Sequence, residues 1–422
     1  MTVLQSRFTA DISEPKGLLL AGGALSVAGV LTTIVAPMLS GAFGETVELT
    51  NAQIGLVLTC LHVVQVAVIF GLATTGLVER LDRRMLGMIG CAIAAIAFVA
   101  SSAVTDFAPL LVFQAVVGLG AGLAYAAGGS ALSFAHHTER AYALVTIGSI
   151  FVGAGLLALT PTLQSIDSER GVYAGLAITL LILGVLGTRM PDLRAAPNRP
   201  TVPSNPDLGS AQLREMAQPP TVDSGATQWL DRAGVSLLAA NFLLNVGLLS
   251  VWTFAGQIGE STGMDSTQSS LFLGASQLLS VIGCLIAWNL GPHAAKIPVL
   301  IGALLILALG KVLVGTAILS AYVVGMLTTN LAFYCVIPFV FAAGADLNPR
   351  SGRLVVLVGA SAMTAGAIAP LVGGLLAGDD GNWMLLGLVA AAMVLLCIPL
   401  MTYAVRTAYH RKLATAPERV SA

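Results

Sequence analysis

Titratable and amide side chains buried in long apolar runs are the first features of this chain that could do chemistry. His62 sits in the middle of QIGLVLTCLHVVQVAVIF, with Gln65 about one helical turn further on. An imidazole titrates at about 6.5 when unperturbed, so His62 is a candidate for taking up and releasing a proton; a neutral buried histidine bonded to a neighbour is the alternative. Asn241 and Asn245 are one turn apart and share a helix face. Thr32, Thr33, Gln114, Tyr125, Trp252, Asn330 and Tyr334 are further polar groups inside apolar runs, and Lys311 lies within ILALGKVLVG. Such groups either line a polar path or bond helices to one another.

What the runs lack is equally informative. No Asp or Glu falls inside one, and no Arg beyond the terminal Arg353 of the eleventh, so a fixed-charge clamp for phosphate esters or dicarboxylates is missing. There is no GxxxxGK[ST] loop for nucleotide, no HExxH motif and no intramembrane acid pair, and His136 and His137 stand together in a polar break. The five cysteines all lie in apolar runs without CxxC spacing, so neither disulfides nor a metal site is expected, and no cofactor. Enzymes and direct users of ATP are the classes these absences weigh against.

The elements that carry these residues follow from composition. Of 422 residues 56% are hydrophobic and 10% charged, with mean hydropathy +0.88; soluble chains carry roughly 25% charged residues. The solvent is therefore a lipid bilayer. A hydrocarbon core of about 30 Å needs about 20 apolar residues per helix. Runs of that kind lie at 17–40, 52–76, 85–104, 108–134, 141–163 and 171–188, then at 233–257, 267–290, 297–317, 320–344, 353–377 and 383–405. The reading is an all-α integral membrane protein of about twelve spanning helices in two six-helix halves, 17–188 and 232–406. Eleven spans stay open because little that is polar separates the pair around Ser320.

The first sixteen residues are polar and the run after them is long, so it is expected to remain as a helix, not a cleaved leader. Residues 189–231 are rich in Pro, Ser, Asp and Arg and read as a linker, with a short helix at AQLREMAQ and Trp229 at the membrane surface as minor expectations. Residues 407–422 read as a tail. With the N-terminus inside, 18 of the 20 Lys and Arg fall on one face, while Glu45, Glu48, Asp106, Asp167, Glu169, Glu260, Asp265, Asp379 and Asp380 fall on the other. We call these the basic and acidic faces. The positive-inside rule makes the basic face cytoplasmic, with both termini and the linker, as expected for a cytoplasmic (inner) membrane. A net charge of -1 gives no footprint for nucleic acid.

Between the second and third runs stands TGLVERLDRRMLG. It resembles the signature loop GxLaDRxGRR of the major facilitator superfamily. Glu79 matches the acid, Arg80 the first arginine, and Arg83 with Arg84 the basic pair; Thr75 and Asp82 stand where glycines are usual. QAVVGLGAG resembles the family's RxxxGxG stretch with Gln114 in place of arginine, and APLVGG resembles its GPxxGG motif with Ala369 in place of glycine. GPHAAKIP occupies the place of a degenerate second signature loop, of which Lys296 survives.

The resemblance implies a secondary transporter working by alternating access, with a small-molecule substrate held near the midplane by the first, fourth, seventh and tenth helices. The cavity candidates are then Gln114, Tyr125, Asn241, Asn245, Trp252, Asn330 and Tyr334, with His62 for coupling. The absence of fixed charge points to a neutral, apolar or weakly polar organic substrate. The resemblance also gives Glu79 the role of a cytoplasmic latch at the N-terminal end of the eleventh helix, with Arg80, Arg83, Arg84 and Arg353 around it. It places Lys311 on a helix that faces lipid, where the amine is expected to snorkel outward. A monomer is expected. A non-transporting receptor on the same scaffold is the alternative, and a linker of about forty residues is short for its sensing domain.

Overall fold

A computed structural model of the protein describes residues 17–135, 138–191, 231–290, 296–348 and 353–415. The linker from 192 to 230, the N-terminal sixteen residues, the His136–His137 pair and most of GPHAAKIP lie outside them, as do the side chains of Glu79 and Arg353.

Ten helices are long and apolar enough to cross a membrane. One of them, Leu144–Gly187, holds two spans that meet at the non-helical pair Asp167 and Ser168. Leu18–Ile34 and Ala36–Val47 form one further span, bent by 54°. The described residues thus hold twelve spans, as expected. Spans 2 to 4 are Asn51–Thr75, Arg83–Ser101 and Phe107–Leu132. Span 7 begins with Arg232–Thr253 and continues as Ala255–Ser261; spans 8 to 12 are Ser266–Leu290, Lys296–Gly315, Leu319–Leu347, Arg353–Ala377 and Trp383–Thr415. The last helix runs on past position 407, where a tail was expected.

Helix starts use local signals. Thr50 and Gln53 form a capping box at span 2, their side chains each accepting from the other's backbone N–H. Asp265 and Gln268 do the same at span 8. Asp231 caps span 7 through Gly234 N–H at 2.8 Å and also pairs with Arg411, which ties span 7 to the end of span 12. Each cap satisfies donors that the first helical turn leaves without partners.

Small residues set the packing inside each half. A Cβ on Gly90 of span 3 or on Gly120 of span 4 would meet the other's backbone, and Gly310 of span 9 and Gly325 of span 10 repeat the arrangement. Without a hydrophobic drive between helices in lipid, such close backbone approach supplies much of the association. Large apolar side chains such as Ile96, Ile178, Ile182, Leu309 and Leu396 stay exposed, as befits a lipid-facing surface.

Across the halves, span 11 packs on span 2 and span 8 on span 5. One buried cluster runs through the first half and takes in residues from the acidic side of the second, from Val251 and Trp252 to Phe254, Leu273, Val314 and Tyr322. The basic-face part of the second half has a core of its own, from Leu237 and Leu300 to Val340 and Met401. The halves share a core at the acidic face and part towards the basic one, where Phe70, Gly71, Ala73 and Thr74 of span 2 are exposed.

Candidate functional site

The centre of the molecule is built on two broken helices. Span 1 breaks at Val35 because Pro37 has no N–H to give the Thr33 carbonyl four residues back. Trp252 of span 7 supplies the missing donor: its indole N–H reaches Thr33 O at 3.2 Å and Ile34 O at 3.1 Å. Span 7 breaks at the equivalent place, Phe254, and the Ser40 hydroxyl of span 1 donates to Thr253 O at 2.7 Å. The halves are thus joined reciprocally at mid-depth.

Nearer the acidic face the junction is sealed further. Leu371 N–H donates to Thr59 Oγ1 at 3.1 Å and Asn51 Nδ2 to Gly378 O at 2.7 Å, linking span 11 to span 2. Gly55 meets Pro370 and Gly374 meets Asn51 so closely that a Cβ on either would strike backbone.

His62 lies beside the break in span 1. Its Nδ1 is 2.7 Å from Leu58 O and its Nε2 2.9 Å from Thr33 Oγ1. A carbonyl only accepts, so Nδ1 carries the hydrogen, and in the neutral ring Nε2 accepts from the Thr33 hydroxyl. Protonation at Nε2 needs no new partner, because the Thr33 hydroxyl can turn and accept instead. Thr33, His62 and Trp252 line a small pocket with Ala36, Leu249, Thr253, Gly366 and Pro370, drawn from spans 1, 2, 7 and 11.

The other candidate residues lie elsewhere. Gln114 is fully buried inside the first half, its amide donating to Ser101 Oγ at 3.0 Å and its oxygen without a partner. Tyr125 packs on Gly29 between spans 4 and 1. Asn241 donates to Val358 O at 2.9 Å and Ser361 Oγ at 2.7 Å, and Asn245 to Asn241 O at 2.8 Å, so this pair faces span 11. Asn330 donates to Ser276 Oγ at 3.1 Å between spans 10 and 8, and Tyr334 sits edge-on to Phe333 near Gly283. Of the cavity candidates, Trp252 is the one that meets His62. Leu249, Gly366 and Pro370 carry no polar signal, and only their placement in the fold brings them in.

Lys311 corrects an expectation. It is 1% exposed and does not snorkel outward; its Nζ donates to Leu248 O at 3.3 Å. The side chain points to span 7 instead of lipid, within the helix group that also holds Gly387 of span 12.

At the basic face, Gly76 ends span 2 in the left-handed region at φ 66, one position beyond Thr75, where the signature has glycine. The one-turn helix Leu77–Arg80 follows and carries Glu79 and Arg80. Asp82, the second departure, caps span 3 by accepting from Arg84 N–H at 2.9 Å. Arg83 is buried against span 4, bonded to Ser130 at 3.2 Å and placed over the Phe134 ring at 5.0 Å, while Arg84 is exposed. Arg353 is the first residue of span 11.

A third group of residues escaped sequence reading. Glu169, between spans 5 and 6, is buried at the acidic face, and burial foremost, then the nearby Glu45, pushes its carboxyl up to about 7 against the opposing Gln164 hydrogen bond. No signal in the sequence separates it from the exposed acids around it.

The arrangement is similar to solved transporters at low identity. A D-xylose–proton symporter aligns with TM-score 0.67 at 16% identity, covering 90% of this chain and 96% of that one. A peptide transporter aligns with TM-score 0.70 at 13% identity, covering 95% and 96%. The nucleoside transporter NupG gives 0.64 at 14%, covering 94% and 99%. No curated protein matches the sequence. The family model of the Major Facilitator Superfamily matches residues 18–353. With twelve spans, halves joined at one face and a family match over most of its length, the chain belongs to the Major Facilitator Superfamily of multi-pass secondary transporters.

Proposed function

We propose that this transporter moves a small neutral, apolar or weakly polar organic compound across the cytoplasmic membrane, with both termini cytoplasmic. The observation that carries the reading is the junction of the halves around Thr33, His62 and Trp252, whose groups are polar but carry no fixed charge and which leaves a gap with room for about one water molecule in this closed arrangement. Among the described residues the charged groups buried within spans are Arg83, at the basic-face start of span 3, and Lys311, bonded to Leu248 O of span 7, and neither lines that gap. The basic-face bias of Lys and Arg supports the orientation. In that orientation the core that the halves share on the acidic side supports an inward-facing reading.

His62 is the coupling residue in this reading, with Thr33 as its switchable partner. Asn241, Asn245, Gln114, Asn330 and Tyr334 hold the two bundles in shape around the path, and Tyr125 flanks it. Glu79, at the cytoplasmic end of span 2, is the cytoplasmic latch, meeting the N-terminal end of span 11 when the basic face closes, with Arg80, Arg84 and Arg353 as neighbours and Arg83 anchoring the loop on span 4.

Counterflow in proteoliposomes tests the substrate class. Preloading with unlabelled neutral solutes of graded polarity should accelerate uptake of a labelled member of the set, whereas phosphate esters and dicarboxylates should give none. Counterflow confined to anionic solutes would overturn the reading.

A further inference from the structure

At the acidic face three carboxyl groups from three spans gather where the halves meet. Glu45 lies on the bent outer part of span 1, Glu169 follows the Asp167–Ser168 break, and Glu260 stands near the end of span 7. Glu45 acts electrostatically on both of the others, and Glu260 acts on Glu169. Glu45 and Glu260 are exposed, but Glu169 is 7% exposed. Gln164 donates to Oε1 of Glu169 at 2.7 Å, Oε2 has no donor, and the Glu45 carboxyl stands within hydrogen-bonding reach of the group, so that a single proton would bridge the two acids.

One turn on, the Tyr173 ring is fully buried beside Phe43 and Phe98, with its hydroxyl within reach of Thr46 and near Glu169. The remaining groups around the cluster do not offset the charge. Arg170, next in sequence, is exposed; Glu48 and Asp265 are further acids of the same face; and Tyr322, beside Glu260, gives its hydroxyl hydrogen to Ala255 O at 2.8 Å.

A carboxylate taken out of water beside two like charges is costly unless it is neutralised. No set of three His, Cys, Asp or Glu with metal-holding geometry occurs among the described residues, so a metal ion does not fit. A proton does. Resting on the alternating-access reading above, we infer that Glu169 is a proton-carrying residue of the outer junction, binding a proton at Oε2 when the acidic face closes and releasing it to water on that face when it opens.

The sign follows from linkage. Glu169 titrates higher when closed, at about 7, than in water, at about 4.3. Closure is therefore favoured most below the ordinary carboxylate range; the advantage falls as pH rises and is gone above the raised value. The bent outer part of span 1 is the moving piece, since it carries Glu45 and Phe43 against span 6 and also touches span 7.

Spin labels at Asp106→Cys and Asp380→Cys, exposed positions on the two halves at the acidic face, measure the opening once the native cysteines are replaced. In reconstituted protein the short-distance population should rise about tenfold or more relative to the long one on going from about pH 8 to about pH 5. Glu169→Gln should hold the short population at every pH, and Glu45→Gln should move the midpoint to lower pH. A pH response that survives Glu169→Gln overturns the inference, as does an unmoved midpoint in Glu45→Gln should the first variant misfold. A single distance under every condition would instead count against alternating access, and the inference would fall with it.

Discussion

A histidine with a carbonyl on one ring nitrogen and a hydroxyl on the other can gain a proton without losing a partner, and His62 is so placed between Leu58 and Thr33. If it couples transport, His62→Gln keeps the size and hydrogen bonding but cannot titrate. The expected result is loss of uphill accumulation under an imposed pH difference with counterflow retained. Accumulation intact in the variant would exclude His62 as the carrier. Chemistry at this scale was half legible. The sequence shows a lone imidazole in an apolar run, but its pairing with Thr33 depends on how spans 1 and 2 are rotated, which hydropathy does not encode. The same limit applies to Asn241 and Asn245: one turn apart, they do share a face and do bond to each other, but only tertiary packing turns that face to span 11.

Helix breaks are the moving parts at the next scale. The Pro37 break hands the carbonyls of Thr33 and Ile34 to Trp252, and hydrogen bonds between helices in membranes contribute about 0.6 to 1.7 kcal/mol each. Trp252→Phe should therefore lower the ratio of closed to open acidic face by about threefold to about twentyfold. Glu79→Ala, by weakening the latch at the other face, should push the same ratio the opposite way and slow transport while leaving insertion intact. Labelling of single cysteines by an impermeant maleimide from each side reads both displacements; two variants moving in one direction would refute the pairing. The spans themselves were plain from length and hydropathy, and TVELTNAQ carries the Thr50–Gln53 capping box in its letters. The break in span 1 was missed because 17–40 is apolar throughout, although Pro37 was its written cause.

For the molecule as a whole, the core that the two halves share among the described residues lies on the acidic side, and that asymmetry is what makes the structure a state and not merely a fold. Which face meets the cytoplasm is a matter of charge. Reporter fusions at both termini and within 192–230 should all report a cytoplasmic location, and an external linker would invert every statement about sidedness here. Twelve spans and their division were legible because lipid forces each helix to satisfy its own backbone. The closed acidic face was not, since Gly55, Gly374 and Pro370 are ordinary small residues until their contacts are seen.

The glycine contacts inside the halves carry a mechanical consequence. Gly90 with Gly120 and Gly310 with Gly325 lock corresponding helix pairs, spans 3 and 4 and spans 9 and 10, by the same reciprocal backbone touch. The two touches lie at different depths: span 3 and span 9 both start at the basic face, yet Gly90 is the eighth residue of the one and Gly310 the fifteenth of the other, so the first pair is clamped nearer the basic face and the second nearer the acidic face. The clamps therefore leave unequal arms free to bend, the acidic ends of spans 3 and 4 in one half and the basic ends of spans 9 and 10 in the other.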